Sequence, residues 1–327
     1  MTDKKNTPRA PRNRTISLTP DEEQYYKKKY LRLNGQQSAA VLPPERIYDK
    51  TICGDTFDSM DLLPAQFADL LIADPPYNMQ KNFHGNKFSP VGDDAYAGYT
   101  RSWLLKALPL LKPDASLYIC CDWKSSLIIG TVLKNLDEKL IVRNRITWQR
   151  EKGRGAKSNW KNSMEDIWFA TKSKKYTFNL DAVKIRRKVV APYRIDGRPK
   201  DWIETPQGNF RDTCPGNFWD DLSVPYWSMP ENTDHPTQKP EKLVARLILA
   251  SSNPGDVVFD PFLGSGTTSV TAKKLGRRYV GIEQNELYCM WAEKRLEQAD
   301  SDKTIQGFSG GVFWERNTGN LRKTAAD

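Results

Sequence analysis

Short apolar runs and stretches of helical periodicity alternate along most of the chain. Runs at 50–53, 68–73, 116–121 and 140–148 are rich in Ile, Leu, Val and Ala and predict buried strands. Between them, 99–111 and 124–136 space their apolar residues as helices do. Further on, 240–252 predicts a helix, 256–260 a strand, 265–275 a helix ended by Gly276, and 278–283 a strand. Such alternation predicts an α/β fold, a doubly wound and mostly parallel sheet covered on both faces. Ahead of it, Thr19, Pro20 and Glu22 form a capping box with proline in the first turn, predicting a helix through about Leu33.

The pattern is lost between 184 and 233, where Pro192, Pro199, Pro206, Pro215, Pro225 and Pro230 mix with Arg, Asp and aromatic residues. This predicts a loop-rich insertion, a kind of segment that carries recognition surfaces when set on a rigid scaffold. Its aromatic residues Trp202, Phe210, Phe218, Trp219, Tyr226 and Trp227 are read as packing groups. Five segments follow from the pattern: an arm and helix at 1–46, a first α/β half at 47–183, the insertion at 184–233, a second half at 234–300, and a tail at 301–327.

Charge sharpens this picture. The 50 Lys and Arg exceed the 40 Asp and Glu, for a formal net charge of +10, which favours a polyanionic partner. Lys4, Lys5, Arg9, Arg12 and Arg14 make the start a basic arm, read either as a nucleic-acid contact or as a solvated tail. Arg186, Arg187, Lys188, Arg194, Arg198 and Lys200 place candidate phosphate contacts in the insertion. No apolar run long enough to span a membrane and no apolar signal core occur, so no membrane partner and a cytoplasmic location are expected. Cys53, Cys120, Cys121, Cys214 and Cys289 lack metal-binding spacing and there are only two histidines, so reduced thiols and no metal are expected.

Two segments carry candidate chemistry. From Asp260 through Phe262, Gly264 and Gly266 to Thr267, a glycine-rich turn joins a strand to a helix, and Glu283 ends the next strand where such folds set an acid on ribose hydroxyls. Ser269 stands where a dinucleotide fingerprint wants its third small residue, and Thr267-Thr268 follow Gly266 where a P-loop wants lysine. A ligand with a ribose and no phosphate fits better, and S-adenosylmethionine is such a molecule. Asp74-Pro75-Pro76-Tyr77 follows the 68–73 strand, at the strand end where open α/β sheets bind ligands. A base's exocyclic amine is a poor nucleophile because its lone pair is delocalised into the ring. The Asp74 carboxylate and Pro75 carbonyl are suited to accept its two N–H groups and localise that pair, while Tyr77 offers a face for an extruded base. Either segment could instead be a purely structural turn.

Together these segments resemble the amino-methylating DNA methyltransferases, makers of N6-methyladenine and N4-methylcytosine. The resemblance assigns Asp74–Tyr77 (DPPY) as the catalytic motif and Asp260–Gly266 as the S-adenosylmethionine site. It further implies that His235, Thr237 and Lys239 meet the methionine end of the cofactor and that Asp55, after Gly54, contacts its adenine. Catalytic motif first and cofactor motif last is the order of the family's beta class, which makes 184–233 the target-recognition region. The expected activity is sequence-specific methylation of adenine N6 in double-stranded DNA after base flipping, because Asp at the first motif position mostly accompanies adenine in that family. N4-cytosine methylation and a catalytically silent nucleic-acid-binding subunit are the alternatives, although Asp74 and Tyr77 are both present. A C5-cytosine mechanism would need a cysteine after proline, and Cys214-Pro215 has the reverse order. A homodimer and a cognate restriction endonuclease are further partners that the resemblance admits.

Overall fold

The computed structural model describes residues 10–33, 40–83, 86–136, 140–150, 158–189, 193–206 and 208–315. Among these, nine strands form the central sheet, in the order Leu31–Arg32, Lys50–Cys53, Arg278–Glu283, Val257–Asp260, Ala68–Ala73, Leu111–Asp122, Met164–Thr171, Ile141–Gln149 and Phe218–Trp219. All neighbours are parallel except that Met164–Thr171 runs against both of its own. This is the doubly wound α/β arrangement that the alternating pattern predicts.

Ala68–Ala73 lies at the centre and is buried almost throughout, as a parallel strand covered on both faces must be. Its alternate residues enter two cores. Leu71 joins Trp103, Leu104 and Ile129 under the helices Asp93–Ala107 and Trp123–Lys134. Leu70 joins Leu247, Val270 and Leu296 under the helices Glu241–Ser251, Thr267–Lys274 and Glu286–Ser301. The chain leaves Ala68–Ala73 toward Leu111–Asp122 on one side and returns much later as Val257–Asp260 on the other. That reversal of strand order opens a crevice beyond the strand ends, with Asp74 and Asp260 on either side of it.

The first helix is capped as expected: the Thr19 hydroxyl accepts from Glu22 N at 3.3 Å and the Glu22 carboxylate from Thr19 N at 2.9 Å. It ends at Tyr26 and not near Leu33, because Leu31–Arg32 satisfies its backbone on the open edge of Lys50–Cys53 instead. The helix expected at 99–111 starts earlier, at Asp93, whose carboxylate and that of Asp94 suit a helix N-terminus. It closes with a 3-10 turn at Leu108–Leu110, where Pro109 lacks the N–H to continue, and the next strand begins at Leu111.

The insertion is loop-rich but not without order. Ile203–Thr205, Gly208–Thr213 and Ile185–Lys188 form a five-stranded sheet with Val312–Trp314 and Phe308–Ser309, so part of the tail belongs to it. The strands that the insertion gives to it are mostly polar, with only Ile185 and Phe210 buried among them, which is why no apolar alternation marks them. Trp202 and Trp219 are buried too, whereas Phe218 and Trp227 are exposed and Tyr226 is half-buried. Asp221 binds Lys242 at 2.7 Å and Arg246 at 2.8 Å, the Arg246 guanidinium lies between the Trp219 and Phe313 rings, and Lys242 also donates to Trp314 O at 2.6 Å. These contacts tie the small sheet to a core helix. Lys4, Lys5 and Arg9 of the arm, Pro192, and the tail from 316 onward lie outside the described residues. All five cysteines are free thiols, buried except for Cys214.

Candidate active site

On one side of the crevice, Val257–Asp260 ends in the glycine turn. Asp260 is buried, and its Oδ1 accepts from Phe262 N at 2.9 Å. Gly264 follows at φ +56° and donates its N–H to Glu283 Oε2 at 2.9 Å, while Glu283 Oε1 accepts from Asn285 N at 2.7 Å. A Cβ on Gly264 would come within 3.1 Å of the His235 ring. His235 is held edge-on to Tyr288, 4.5 Å between ring centres, and its Nδ1 accepts from Thr237 N at 3.4 Å. Thr267 donates to Lys239 O at 3.2 Å, fastening the 235–239 segment to the turn.

Gly266 serves a different need. It lies at φ +86°, and a Cβ there would stand 2.8 Å from the Ala292 backbone, so the glycine permits the close approach of Glu286–Ser301 and does not line the cleft.

On the other side, Asp74 extends from Ala68–Ala73. Its Oδ1 accepts from the Tyr77 hydroxyl at 2.8 Å and its Oδ2 from the Lys239 ammonium at 2.6 Å. Lys239 also donates to the Tyr77 oxygen at 2.9 Å. Tyr96 donates to Pro76 O at 3.0 Å and fixes the double-proline turn. Asp55 caps the helix Thr56–Met60, with its Oδ1 accepting from Phe57 N and Asp58 N.

One cleft of about 250 Å³ joins both sides. Asp55, Asp74, Pro75, Pro76, Tyr77, His235, Thr237, Lys239, Asp260, Phe262, Gly264, Thr267 and Glu283 all line it, and of the expected site residues Gly266 alone does not. Thr56, Phe57, Tyr99, Asn285 and Tyr288 line it as well, although no sequence motif marks them. Glu165, on the reversed strand, reaches the same cluster: its Oε2 lies 3.3 Å from the Tyr77 hydroxyl and 3.4 Å from Lys239. The signal that could have flagged it is an acid pair, Glu165-Asp166, inside an otherwise apolar run.

Burial governs the electrostatics. It pushes the carboxyls of Asp260 and Glu283 up to about 7 in each case. Burial, with Asp74 adding to it, raises the Tyr77 phenol well above its ordinary range. Burial works against the charge on Lys239, but Asp74 and Glu165 outweigh it and hold the ammonium above its usual value. No group of acids, histidines and cysteines able to hold a metal occurs among the described residues.

The cleft suits a nucleoside-like cofactor. Glu283 presents a carboxyl at a strand end, Gly264 gives the close approach that a side chain would block, and Asp55 with aromatic residues flanks the far side. A crevice at the reversal point of an open sheet, with an acid-proline turn on one side and a glycine turn on the other, defines a ligand-binding protein of the doubly wound class. The chain belongs to the DNA methylase family, whose model for N6- and N4-type enzymes matches residues 68–294. It is 36% identical over 277 residues to the DNA adenine methyltransferase YhdJ of Escherichia coli (strain K12), covering 84% of this chain and 90% of the relative. It is 34% identical over 249 residues to the type II methyltransferase M.HpaI of Haemophilus parainfluenzae, covering 76% and 74%. Among solved structures, the M1.HpyAVI complex with S-adenosylmethionine (24% identical, TM-score 0.51) covers 75% of this chain and 98% of its own. The PvuII cytosine-N4-specific DNA methyltransferase (18% identical, TM-score 0.57) covers 77% and 90%. These two show a shared fold.

Proposed function

We propose that the chain transfers the methyl group of S-adenosylmethionine to N6 of an adenine in double-stranded DNA. The observation that carries this reading is the placement of Asp74 and the glycine turn with Glu283 in one cleft. When bound, the cofactor supplies a methyl group activated by its sulfonium. Glu283 would accept from its ribose hydroxyls, Gly264 would give the backbone approach, Asp55 would meet its adenine, and His235, Thr237, Asp260, Phe262 and Thr267 would shape the rest of that subsite. Asp74 and the Pro75 carbonyl would accept the two N–H groups of the target amine and localise its lone pair out of the ring plane, as preorganised acceptors do. The base reaches them by flipping out of the duplex, with Tyr77 as its stacking face and Pro76 keeping the turn rigid.

The name of the E. coli relative supports adenine, and Asp74 at the first motif position agrees with it. The PvuII neighbour is named for cytosine N4, so the fold alone does not choose the base. Residues 184–233 are the proposed target-recognition region, between a catalytic half at 47–183 and a cofactor half at 234–300. The proposed location is the cytoplasm, where the DNA of a cell without a nucleus is found; no helix among the described residues is long and apolar enough to cross a membrane. A homodimer and a cognate restriction endonuclease are the proposed partners besides DNA.

Duplex DNA incubated with the chain and methyl-labelled cofactor, then digested for nucleoside mass spectrometry, tests the reading. Label in N6-methyladenine is expected. Label in N4-methylcytosine would overturn the choice of base, and no label in DNA would overturn the function. Asp74→Ala should lower transfer by about a thousandfold, the scale of removing one preorganised hydrogen-bonding group, while calorimetry shows cofactor affinity largely kept.

A further inference from the structure

The family resemblance assigns Lys239 to the cofactor, yet its ammonium is spent on the other side of the cleft, on Asp74 and Tyr77. Its third neighbour is Glu165, which also faces the Tyr77 hydroxyl. Two carboxylates, Asp74 and Glu165, are thus bridged twice, by an ammonium and by a phenol. The second oxygen of Glu165 is taken by Arg150. The side chains of Lys239 and Glu165 are 8% and 6% exposed, so neither charge is met by bulk water. Lys239 and Arg150 balance Asp74 and Glu165, and each buried charge keeps an opposite partner.

This arrangement bears on the reaction. A carboxylate that must accept an N–H from a weakly nucleophilic amine is weakened when a full positive charge rests on it alone. A second carboxylate sharing that charge relieves it, and it also holds the ammonium and the phenol in one geometry. Glu165 is delivered by Met164–Thr171, the strand that runs against its neighbours.

We propose that Glu165 is a positioning residue for methyl transfer. It shares the Lys239 ammonium with Asp74 and holds the Tyr77 hydroxyl, and so sets the direction and strength of the Asp74 acceptor and the tilt of the stacking ring. The role rests on the methyltransferase reading given above. Glu165 is not among the residues that line the cleft and acts through Asp74 and Tyr77, which are.

Single-turnover methylation of duplex DNA and cofactor binding by calorimetry, on the same variants, test it. Glu165→Gln should slow transfer by about a hundredfold, the scale of a misplaced reacting group, with cofactor affinity within about threefold of the parent. Lys239→Met should show a comparable loss. The double variant should be much less slow than the product of the two single losses, because without the ammonium Glu165 keeps only its contact with the Tyr77 hydroxyl. Transfer by Glu165→Gln at the parental rate would overturn the proposal. So would losses that add in the double variant and follow its melting temperature, since those mark a merely structural residue. No transfer by the unaltered chain would overturn the methyltransferase reading, and this proposal with it.

Discussion

Both carboxyl oxygens of Glu283 accept backbone N–H groups, from Gly264 at 2.9 Å and Asn285 at 2.7 Å, and these bonds favour the charged form. Burial opposes them and wins, leaving the group at about 7. An ionised carboxyl is the stronger acceptor for ribose hydroxyls, so affinity for S-adenosylmethionine should be full above about pH 8 and weaken as pH falls through 7, by up to about tenfold at pH 6. Stability has the opposite sign. A carboxyl raised in the folded chain holds its proton more tightly there, so its contribution is present at low pH and is lost as pH rises from 4.5 toward about 7. Calorimetric titrations with cofactor at pH 6 and 8 check the first expectation. If Glu283→Gln kept the parental pH slope, the titrating group would be another, such as Asp260, which burial also pushes up to about 7. At this scale the cleft was readable wherever chemistry needs a fixed spacing, as in Asp74–Tyr77 and the turn from Asp260 to Thr267. Glu165 was not, because spacing along one strand says nothing about which strand lies beside it.

Among elements, the glycine turn separates two roles that look alike in sequence. Gly264 faces His235 across the cleft, and Gly266 faces the Ala292 backbone across a helix contact. Gly266→Ala should therefore cost about 2–4 kcal/mol, from a left-handed backbone and a clash with main chain that cannot turn aside. Gly264→Val should also cost stability, since Gly264 lies at φ +56° and a side chain there meets the His235 ring, but it should in addition weaken cofactor binding by filling the approach to the cleft, which Gly266→Ala should not do. Thermal melting and calorimetry on both variants separate the two, and equal loss of affinity with equal loss of stability would refute the division. The central strands were legible because burial on both faces gives them short unbroken runs without charge, as in 70–73 within Ala68–Ala73 and 279–282 within Arg278–Glu283. Leu31–Arg32 was not, being too short to carry a pattern and defined only by the edge it joins. Met164–Thr171 was hidden by its acids, which face partners supplied from elsewhere in the fold.

For the molecule as a whole, the positive charge of the insertion is less free than its composition implies. Arg186 is bound to Asp212 by two bonds of 2.7 Å, Arg187 lies 3.4 Å from Glu315, and Arg194 is paired with Glu204. Lys188, Arg198 and Lys200 have no ion pair among the described residues, and Lys200 lies 5.7 Å over the Tyr193 ring. Replacing these three by Gln should flatten the plot of log DNA affinity against log salt by about 0.9 for every phosphate they neutralise. Arg186→Gln should leave that slope unchanged and lower the melting temperature instead. An unchanged slope for the triple variant would place the phosphate-binding groups elsewhere on the chain. The small sheet that bears these residues also has a biosynthetic consequence. Ile185–Lys188 pairs with Val312–Trp314, so during translation its edge leaves the ribosome long before the strand that covers it. Over the same interval Lys242 and Arg246 lack the Trp314 carbonyl and the Phe313 ring. A nascent or prematurely terminated chain therefore exposes an open strand edge beside half-covered cations, and it is this intermediate, more than the finished fold, that calls for protection by chaperones.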